Sequence, residues 1–467
     1  MDAIPARVGV SLLATLLSGC MAGPNYNKPA VPTPAAYRGG SPEPRVPPDV
    51  ASFGDQKWWE AFQDDVLRDL IRAALQQNYD VRIAAARIVE ARALLGITEA
   101  DQLPEVSAGV SAVNQRLPQS PGRPPIETSA TQVGLSAAWE LDFWGKFRRG
   151  TESARASLLS EEWAQRHIIS SLVSDVAAAY FQLREQDLEL EISRQTLASR
   201  TDSLRLTQVL ADRGATSLLD VRQAEQLVFS AGASIADLEQ RIEQQENFIS
   251  ILVGKNPESV VRGRGLVDQP HPLEVPAGLP SSLLERRPDI LQAEQQLVAA
   301  NAQIGVAKAD FFPNISLTGT AGFQSSALSR LFAGPAGLWA FGASALQPVF
   351  EGGRIRNRVH LAEARTEEAT LVYQRTVQRA FRDVSDALVA YRKSREVRSQ
   401  QQQLTTAAED ATRLSNLRYR GGAASYLEVL DSETRSFAAQ LALAQAQLRE
   451  LQSLVQIYRS LGGGWQQ

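Results

Sequence analysis

Shifted by 208–209 residues, the sequence matches itself, and this duplication limits the folds open to the chain more than any other feature. At offset 209, Asp80, Ala84, Gly96, Asp101 and Pro104 recur as Asp289, Ala293, Gly305, Asp310 and Pro313. At offset 208, Gly134, Ser136, Gly145 and Arg148 recur as Gly342, Ser344, Gly353 and Arg356, and Gly214, Ala215 and Ser217 as Gly422, Ala423 and Ser425. Chance identities do not hold one register over such a span. The chain reads as two copies of one unit, 58–253 and 285–467, joined by a Pro- and Gly-rich connector at 254–284.

Each copy has the same order: helix, two strands, very long helix, tight turn, long helix. Residues 151–213 and 354–420, stretches of 63 and 67 residues, contain neither Gly nor Pro. As helices they would run about 95–100 Å at 1.5 Å per residue. Helices of that length belong to coiled coils or fibrous bundles rather than to a single globular core. The returning helices carry apolar residues at 3–4 spacing. Val221, Ala224, Val228, Ala231, Ile235 and Leu238 do so in the first copy, and Leu427, Leu430, Phe437, Leu441, Ala444 and Leu448 in the second. The turns between long helices fall at about 211–217 and 419–425, where Gly214 and Gly421-Gly422 suit a tight reversal.

A coiled-coil scaffold would account for the helices but not for the strands, expected at about 104–116, 131–143, 313–324 and 338–350. Residues 132–143 alternate strictly: Val133, Leu135, Ala137, Trp139, Leu141 and Phe143 share one face, and Gln132, Ser136, Glu140 and Asp142 the other. Residues 314–324 repeat the pattern with Ile315, Leu317, Ala321 and Phe323. The turn-rich segments 118–130 and 325–337 read as loops. This period fits a soluble β-sandwich face and equally a transmembrane strand of about 9–11 residues, apolar toward lipid. Number adds a constraint. Four strands cannot close a barrel, and open edges are not viable in lipid, so membrane strands would have to be pooled among several chains.

Composition removes other classes. The net charge is −4, from 48 Lys+Arg against 52 Asp+Glu, which argues against a nucleic-acid binder. One cysteine and three scattered histidines disfavour a metal centre, and none is expected. Beyond the first 20 residues no apolar run reaches the roughly 18–20 residues of a membrane-spanning helix. No catalytic constellation and no cofactor are expected: G-x-S-x-G, P-loop, HExxH and CxxC patterns are all missing. Arg262-Gly263-Arg264-Gly265 in the connector reads as a turn rather than a phosphate loop.

Residues 1–19 read as a signal peptide, with Arg7 before the apolar run Val8–Leu17. The run ends in Leu17-Ser18-Gly19-Cys20, which resembles a bacterial lipobox; a short buried helix is the competing reading. Cys20 would then carry diacylglycerol and palmitate, anchoring a protein without a spanning helix. Residues 20–57 form a proline-rich arm, extended and suited to bridging anchor and body.

With these pieces in place the chain resembles an outer-membrane factor of the TolC type, in the NodT-like lipoprotein branch. The resemblance rests on Gly23-Pro24-Asn25-Tyr26, Trp58-Trp59 with Phe62, Arg287-Pro288-Asp289-Ile290, Phe312-Pro313-Asn314-Ile315 and the ending Gly462-Gly463-Gly464-Trp465. It implies a mainly α fold with a membrane β-barrel: a homotrimer with a twelve-stranded barrel in the outer membrane of a Gram-negative bacterium and a twelve-helix tunnel in the periplasm. It also implies a passive efflux duct for drugs or other small toxic compounds, with a periplasmic adaptor (membrane fusion protein) and an inner-membrane pump of the RND type as partners. The tips would meet the adaptor through Gly214, Ala215, Gly422 and Ala423. The periplasmic gate would be Leu427 and Asp431, with Tyr419 and Arg420 holding adjacent helices. Leu427 also reads as a packing leucine and Asp431 as a solvated carboxylate. A periplasmic coiled-coil lipoprotein scaffold is the alternative to a channel.

Overall fold

A computed structural model describes residues 21–38, 52–117, 126–270, 272, 275–278 and 280–465. Cys20 and the signal segment lie outside the described residues, as do 39–51 of the arm and 118–125 of the first loop. The described helices, apart from short 3-10 turns, are α1 (Trp58–Ala61), α2 (Asp65–Gln77), α3 (Tyr79–Ala100), α4 (Lys146–Asp212), α5 (Leu218–Val253), α6 (Leu283–Arg286), α7 (Pro288–Ala309), α8 (Arg354–Arg420) and α9 (Tyr426–Ser460). The strands are β1 (Glu105–Leu117), β2 (Ile126–Leu141), β3 (Asn314–Ser325) and β4 (Gly337–Leu346). Both α4 and α8 have 67 residues, about 100 Å of helix.

Strand limits differ from expectation for local reasons. β2 begins at Ile126, inside the segment read as a loop, because Ile126 to Ala130 pair with Leu117 to Val113 of β1. It stops at Leu141 because Asp142 leaves the sheet to cap α4, accepting from the amides of Phe147 (3.2 Å) and Arg148 (2.9 Å). β4 stops at Leu346, two residues before Pro348, which has no N–H to offer a ladder.

The chain divides into two compact units. The first comprises residues 1–30, 87–162 and 292–374 and contains the sheet, an antiparallel meander in the order β1-β2-β3-β4. Here the arm is not a free tether, because Gly23-Pro24-Asn25-Tyr26 is docked along its length. Ala22 N–H donates to the Trp144 carbonyl (2.9 Å). The buried Arg149 donates to the Ala22 carbonyl (3.2 Å) and to Asn25 Oδ1 (2.8 Å). Asn301 donates to the Pro24 carbonyl (3.2 Å), and Tyr26 and Lys28 both donate to Glu294. Gly23 has φ +85°, and a Cβ there would stand 2.5 Å from Gly305 Cα, so only glycine permits this approach.

The second unit comprises residues 31–86, 163–291 and 375–467. An aromatic core of Phe53, Phe62, Phe181 and Tyr458, with ring centroids 5.4–6.4 Å apart, gathers residues distant in sequence. Asp64, 1% exposed, caps α2 and also accepts from Tyr180 Oη (3.1 Å), Arg264 N (2.9 Å) and Gln269 Nε2 (3.0 Å). A side chain at Gly263 would strike this carboxylate, and Arg262 is paired with Asp187 and Glu246. The Gly/Arg segment is therefore a turn in which the Arg262 charge is already engaged and the Arg264 backbone is held by Asp64 and Arg184.

The seam of α9 corrects the apolar pattern. Tyr426, Val429, Glu433 and Ser436 are buried, while Leu427 is 59% exposed and Thr434 is exposed. The buried row thus runs one residue N-terminal to the Leu427 frame and rejoins it at Ala444, Leu448, Leu451, Val455 and Tyr458. Tyr426 wins the inward position because its ring packs with Val429, Ala224, Tyr419 and Leu204. The packing reading of Leu427 therefore fails within the chain.

Candidate functional site: an amphipathic sheet and a hairpin tip

Register turns the sheet into two chemically distinct faces. One carries Val106, Val110, Val133, Leu135, Leu317 and Phe323 together with Trp339 and Phe341, aligned by the pairs Val110↔Val133, Val133↔Phe323, Leu135↔Ala321 and Ala321↔Trp339. Most of these side chains are open to the surroundings: Val110 is 74%, Trp339 74% and Phe341 81% exposed. The other face carries Ser107, Ser136, Thr320, Ser316 and Ser344, with hydroxyl pairs Ser107–Ser136 and Ser316–Ser344 at 2.8 Å. A face this apolar and this large is not stable against water. Among the described residues, neither β1 nor β4 has a second strand partner, so both outer edges are open. Near the Leu141 end of β2, Trp144 stacks on Phe312 at 4.6 Å and donates to the Pro313 carbonyl (2.9 Å). Aromatic rings there match the belt that membrane barrels place at an interface.

The tips of the two long hairpins are built alike. Gly214 and Gly422 both have φ +72°. Gly214 donates to Ala211 O and Ala215 to Leu210 O, and Gly422 to Tyr419 O and Ala423 to Arg418 O. These are matching Schellman closures, which need a residue in the left-handed region. Nothing lies within 4 Å of a Cβ placed on either glycine, so both tips are open surface.

The gate candidates lie together at the second tip, in the second unit. Leu427 projects outward, and Asp431 is exposed and paired with Arg435 at 2.9 Å. Tyr419 packs on Tyr426 with ring centroids 5.5 Å apart, and Arg420 is exposed. Tyr419 and Arg420 line a cavity of about 410 Å³ with Asp202, Ser203, Arg413 and Asn416. Asp220 does not match Asp431: the register sets it opposite Glu428. Its carboxylate is occupied in capping α5, accepting from the Ser217 amide (3.1 Å) and hydroxyl (2.9 Å) and from Thr216.

Behind the gate candidates lie two charges that the sequence pattern concealed. Arg200 is 4% exposed, donates to the Leu227 carbonyl (3.0 Å) and lies 5.0 Å from the Phe437 ring centroid. Glu433 is 8% exposed; burial raises its carboxyl pKa, against the opposing influence of Asn416, Arg200 and Ser203. Tyr426 is pushed up to about 12 by burial and then by Glu433. Glu433 lies one residue off the apolar frame that starts at Leu427, so the sequence carried no signal for its burial, although charges are rarely fully buried without a reason.

Among the described residues no group of three or more His, Cys, Asp or Glu is placed to hold a metal, and no described helix is long and apolar enough to cross a membrane.

The family model described as "Outer membrane efflux protein" matches residues 70–255 and again 279–463, the two copies seen in the sequence. The solvent efflux pump outer membrane protein SrpC of Pseudomonas putida is 38% identical over 461 residues, 96% of each chain. The cation efflux system protein CusC of Escherichia coli is 32% identical over 464 residues, 99% of this chain and 100% of its own. Among solved structures, the outer-membrane channel OprN superposes with TM-score 0.89 at 33% identity, covering 96% of this chain and 100% of its own. The open state of the Neisseria gonorrhoeae MtrE outer membrane channel gives 0.85 at 32%, covering 96% and 99%. These relatives are channel proteins, which leaves the scaffold reading without support. The chain belongs to the outer membrane efflux protein family and is an efflux channel of the Gram-negative outer membrane.

Proposed function

We propose that three copies of the chain pool their sheets into one twelve-stranded barrel and their long helices into one periplasmic tunnel. The channel is a passive exit duct for small toxic compounds, fed by an inner-membrane pump of the RND type through a periplasmic adaptor. One observation carries this reading: a four-stranded sheet, apolar on one face and open at both edges, in a chain whose helices reach about 100 Å. Closure by neighbouring copies satisfies both edges and turns the Leu135 and Leu317 face to lipid. The relatives are named for solvents and cations, so the cargo class is broad and selection rests with the pump. The duct itself is not an enzyme and draws energy from that partner.

Within this reading Cys20 is acylated, and the docking of Ala22–Lys28 on the body supports an arm that starts close to it. Gly214, Ala215, Gly422 and Ala423 meet the adaptor. Three-fold symmetry brings three copies of Leu427 and Asp431 toward one axis about one helical turn apart, a narrow apolar ring beside a carboxylate ring. Planar-bilayer recording tests the gate: Leu427→Ala should raise single-channel conductance, and Asp431→Asn should weaken cation preference without changing assembly. Wild-type behaviour in both variants removes the assignment. Sedimentation of the wild-type protein as a monomer removes the trimer. In Cys20→Ser, loss of lipid labelling with retained membrane insertion is the expected result.

A further inference from the structure

The duplicated register exposes one place where the two copies solve the same problem with different chemistry. In repeat 1, Asn78 donates through Nδ2 to the Leu252 carbonyl (3.0 Å), two residues before Gly254. Its Oδ1 caps α3, accepting from the amides of Asp80 (2.8 Å) and Val81 (3.2 Å). The matching position in repeat 2 is Arg287, which donates through Nη1 to the Ser460 carbonyl (3.1 Å), two residues before Gly462. The bond and its place are the same, but a small amide has become a buried cation, 8% exposed.

Around that cation the second repeat builds an ionic clasp. The guanidinium holds Asp289 with two bonds, Nε to Oδ1 at 3.0 Å and Nη2 to Oδ2 at 2.7 Å, and reaches Asp383 of α8 at 3.5 Å. His167 of α4 and Arg459 of α9 line the same small cavity. Burial alone would lower the Arg287 pKa, but the hydrogen bond and charge of Asp289 and the charge of Asp383 reverse the sign. Burial would raise the Asp289 carboxyl, yet Arg287 and His167 leave it below the usual range. His167 is lowered, first by burial and then by Arg459 and Arg287, against the opposing pull of Asp289.

We propose that Arg287 is a positioning residue for the α8–α9 hairpin: one guanidinium fixes the start of α7, the middle of α8 and the end of α9 to a single point, and the placement of the channel's tip depends on it. Arginine suits the task because its planar fork bonds several partners in fixed directions, which a point-charge ammonium or a small amide cannot do. Leverage makes the point matter. About 55 Å of helix separates Asp383 from Arg420 at 1.5 Å per residue, so a tilt of about 5° at the clasp moves the tip by about 5 Å. The inference rests on the gate reading of Leu427 and Asp431.

The test compares Arg287→Asn (which installs the repeat-1 solution), Arg287→Lys and, as a control, Asn78→Ala, in full-length protein by bilayer recording between pH 5 and 8. Arg287→Asn should raise the resting conductance at least about twofold, the scale of couplings carried through packed networks. Arg287→Lys should fall between it and wild type. Removing Arg287 also takes away one of the two cations that add to burial in lowering the His167 pKa, so the pH dependence of conductance in the variant should be displaced to higher pH. Asn78→Ala should lower thermal stability and leave conductance unchanged. Assembled Arg287→Asn channels with wild-type conductance and pH profile would overturn the proposal, as would equal opening by Asn78→Ala. Should Arg287→Asn not assemble, Asp383→Asn decides, since it leaves the Asp289 bonds in place. A rise in conductance supports the clasp, and wild-type conductance overturns it. A wild-type protein that does not conduct refutes the channel reading instead.

Discussion

At the tip of repeat 1, Ser217 caps α5 and Asp220 returns the bond in a closed capping box; at the tip of repeat 2, Ser425 holds the same position and its side chain caps nothing. Glu428, opposite Asp220 in the register, reaches back to Arg418 instead, at 3.4 Å. At the root the order is reversed. Repeat 1 closes with a neutral asparagine, and repeat 2 with the buried Arg287–Asp289 pair. Midway along, repeat 1 buries Glu185 and Glu189 on one face of α4, while the matching Lys393 and Val397 of α8 are exposed. Duplication has kept backbone geometry, down to the φ of the tip glycines, and has let restraint migrate. The first hairpin closes its tip with a capping box at the start of α5; the second leaves Ser425 uncapped, joins its two helices near the tip through Arg418–Glu428, Thr412 to the Ser432 carbonyl (2.9 Å) and Ser415–Ser432 (2.6 Å), and at its root carries the Arg287–Asp289 pair.

The comparison breaks most completely where the copies join. β2 and β3 meet through Gly134↔Gly322, and a Cβ on Gly322 would stand 2.6 Å from Gly134 Cα and collide with the Val133 carbonyl. Gly322→Val should cost about 3 kcal/mol or more by overpacking. The readout is loss of a heat-resistant oligomer on gels. Ala138→Val, exposed on the same strand β2 and flanked on both sides by strands of this chain, should assemble normally. Equal assembly of the two variants would mean that the β2–β3 junction does not govern closure.

A smaller effect comes from the carboxyl pair of repeat 1. Burial, then the charge and hydrogen bond of Glu189, push the Glu185 carboxyl up to about 8, with Arg241 opposing. The folded protein therefore holds a proton there that the unfolded chain releases above about 4.5. Stability from this site is greatest at low pH and is lost as pH rises from about 4.5 toward 8, by up to about tenfold in the unfolding equilibrium per pH unit. Melting curves from pH 5 to 8 should fall more steeply in wild type than in Glu185→Gln, whereas Lys393→Gln should follow wild type. Parallel curves for wild type and Glu185→Gln would show that the pair holds no proton.

Much of this architecture is legible in the sequence because it depends on repeating signals. Gly/Pro-free runs mark the long helices, period-2 alternation marks β2 and β3, and the 208-residue offset aligns Gly214 with Gly422. Legibility fails where one side chain competes with a pattern. Tyr426 displaces Leu427 from the seam because a ring able to pack on Ala224 and Val429 outweighs the heptad frame. Asp142 ends β2 early because a cap for α4 is worth more than two further strand residues. The clasp is invisible in one dimension: Arg287-Pro288-Asp289 can be read as a motif, but its partners Asp383, His167 and Ser460 are set beside it only by folding.

The smallest effect sharpens the contrast between the tips. Deleting a serine N-cap costs about 1 kcal/mol when its hydroxyl bonds an orphan amide. In repeat 1 that bond exists, from Asp220 N to Ser217 Oγ at 3.3 Å, and the Asp220 carboxylate returns it to the Ser217 amide and hydroxyl. In repeat 2 the Ser425 side chain makes no cap bond, so its removal deletes nothing from α9. Amide exchange should therefore accelerate about fivefold at residues 217–221 in Ser217→Ala and stay unchanged at 425–429 in Ser425→Ala. The first tip should also respond to acid. Hydrogen bonds from Thr216 and Ser217 hold the Asp220 carboxyl below its usual range, so its share of the cap is present near neutrality and fades as pH falls through that lowered value. An equal response of the two tips to the loss of serine would remove the capping box as a difference between the hairpins, leaving the clasp at Arg287 and the buried Glu185 and Glu189 to distinguish them.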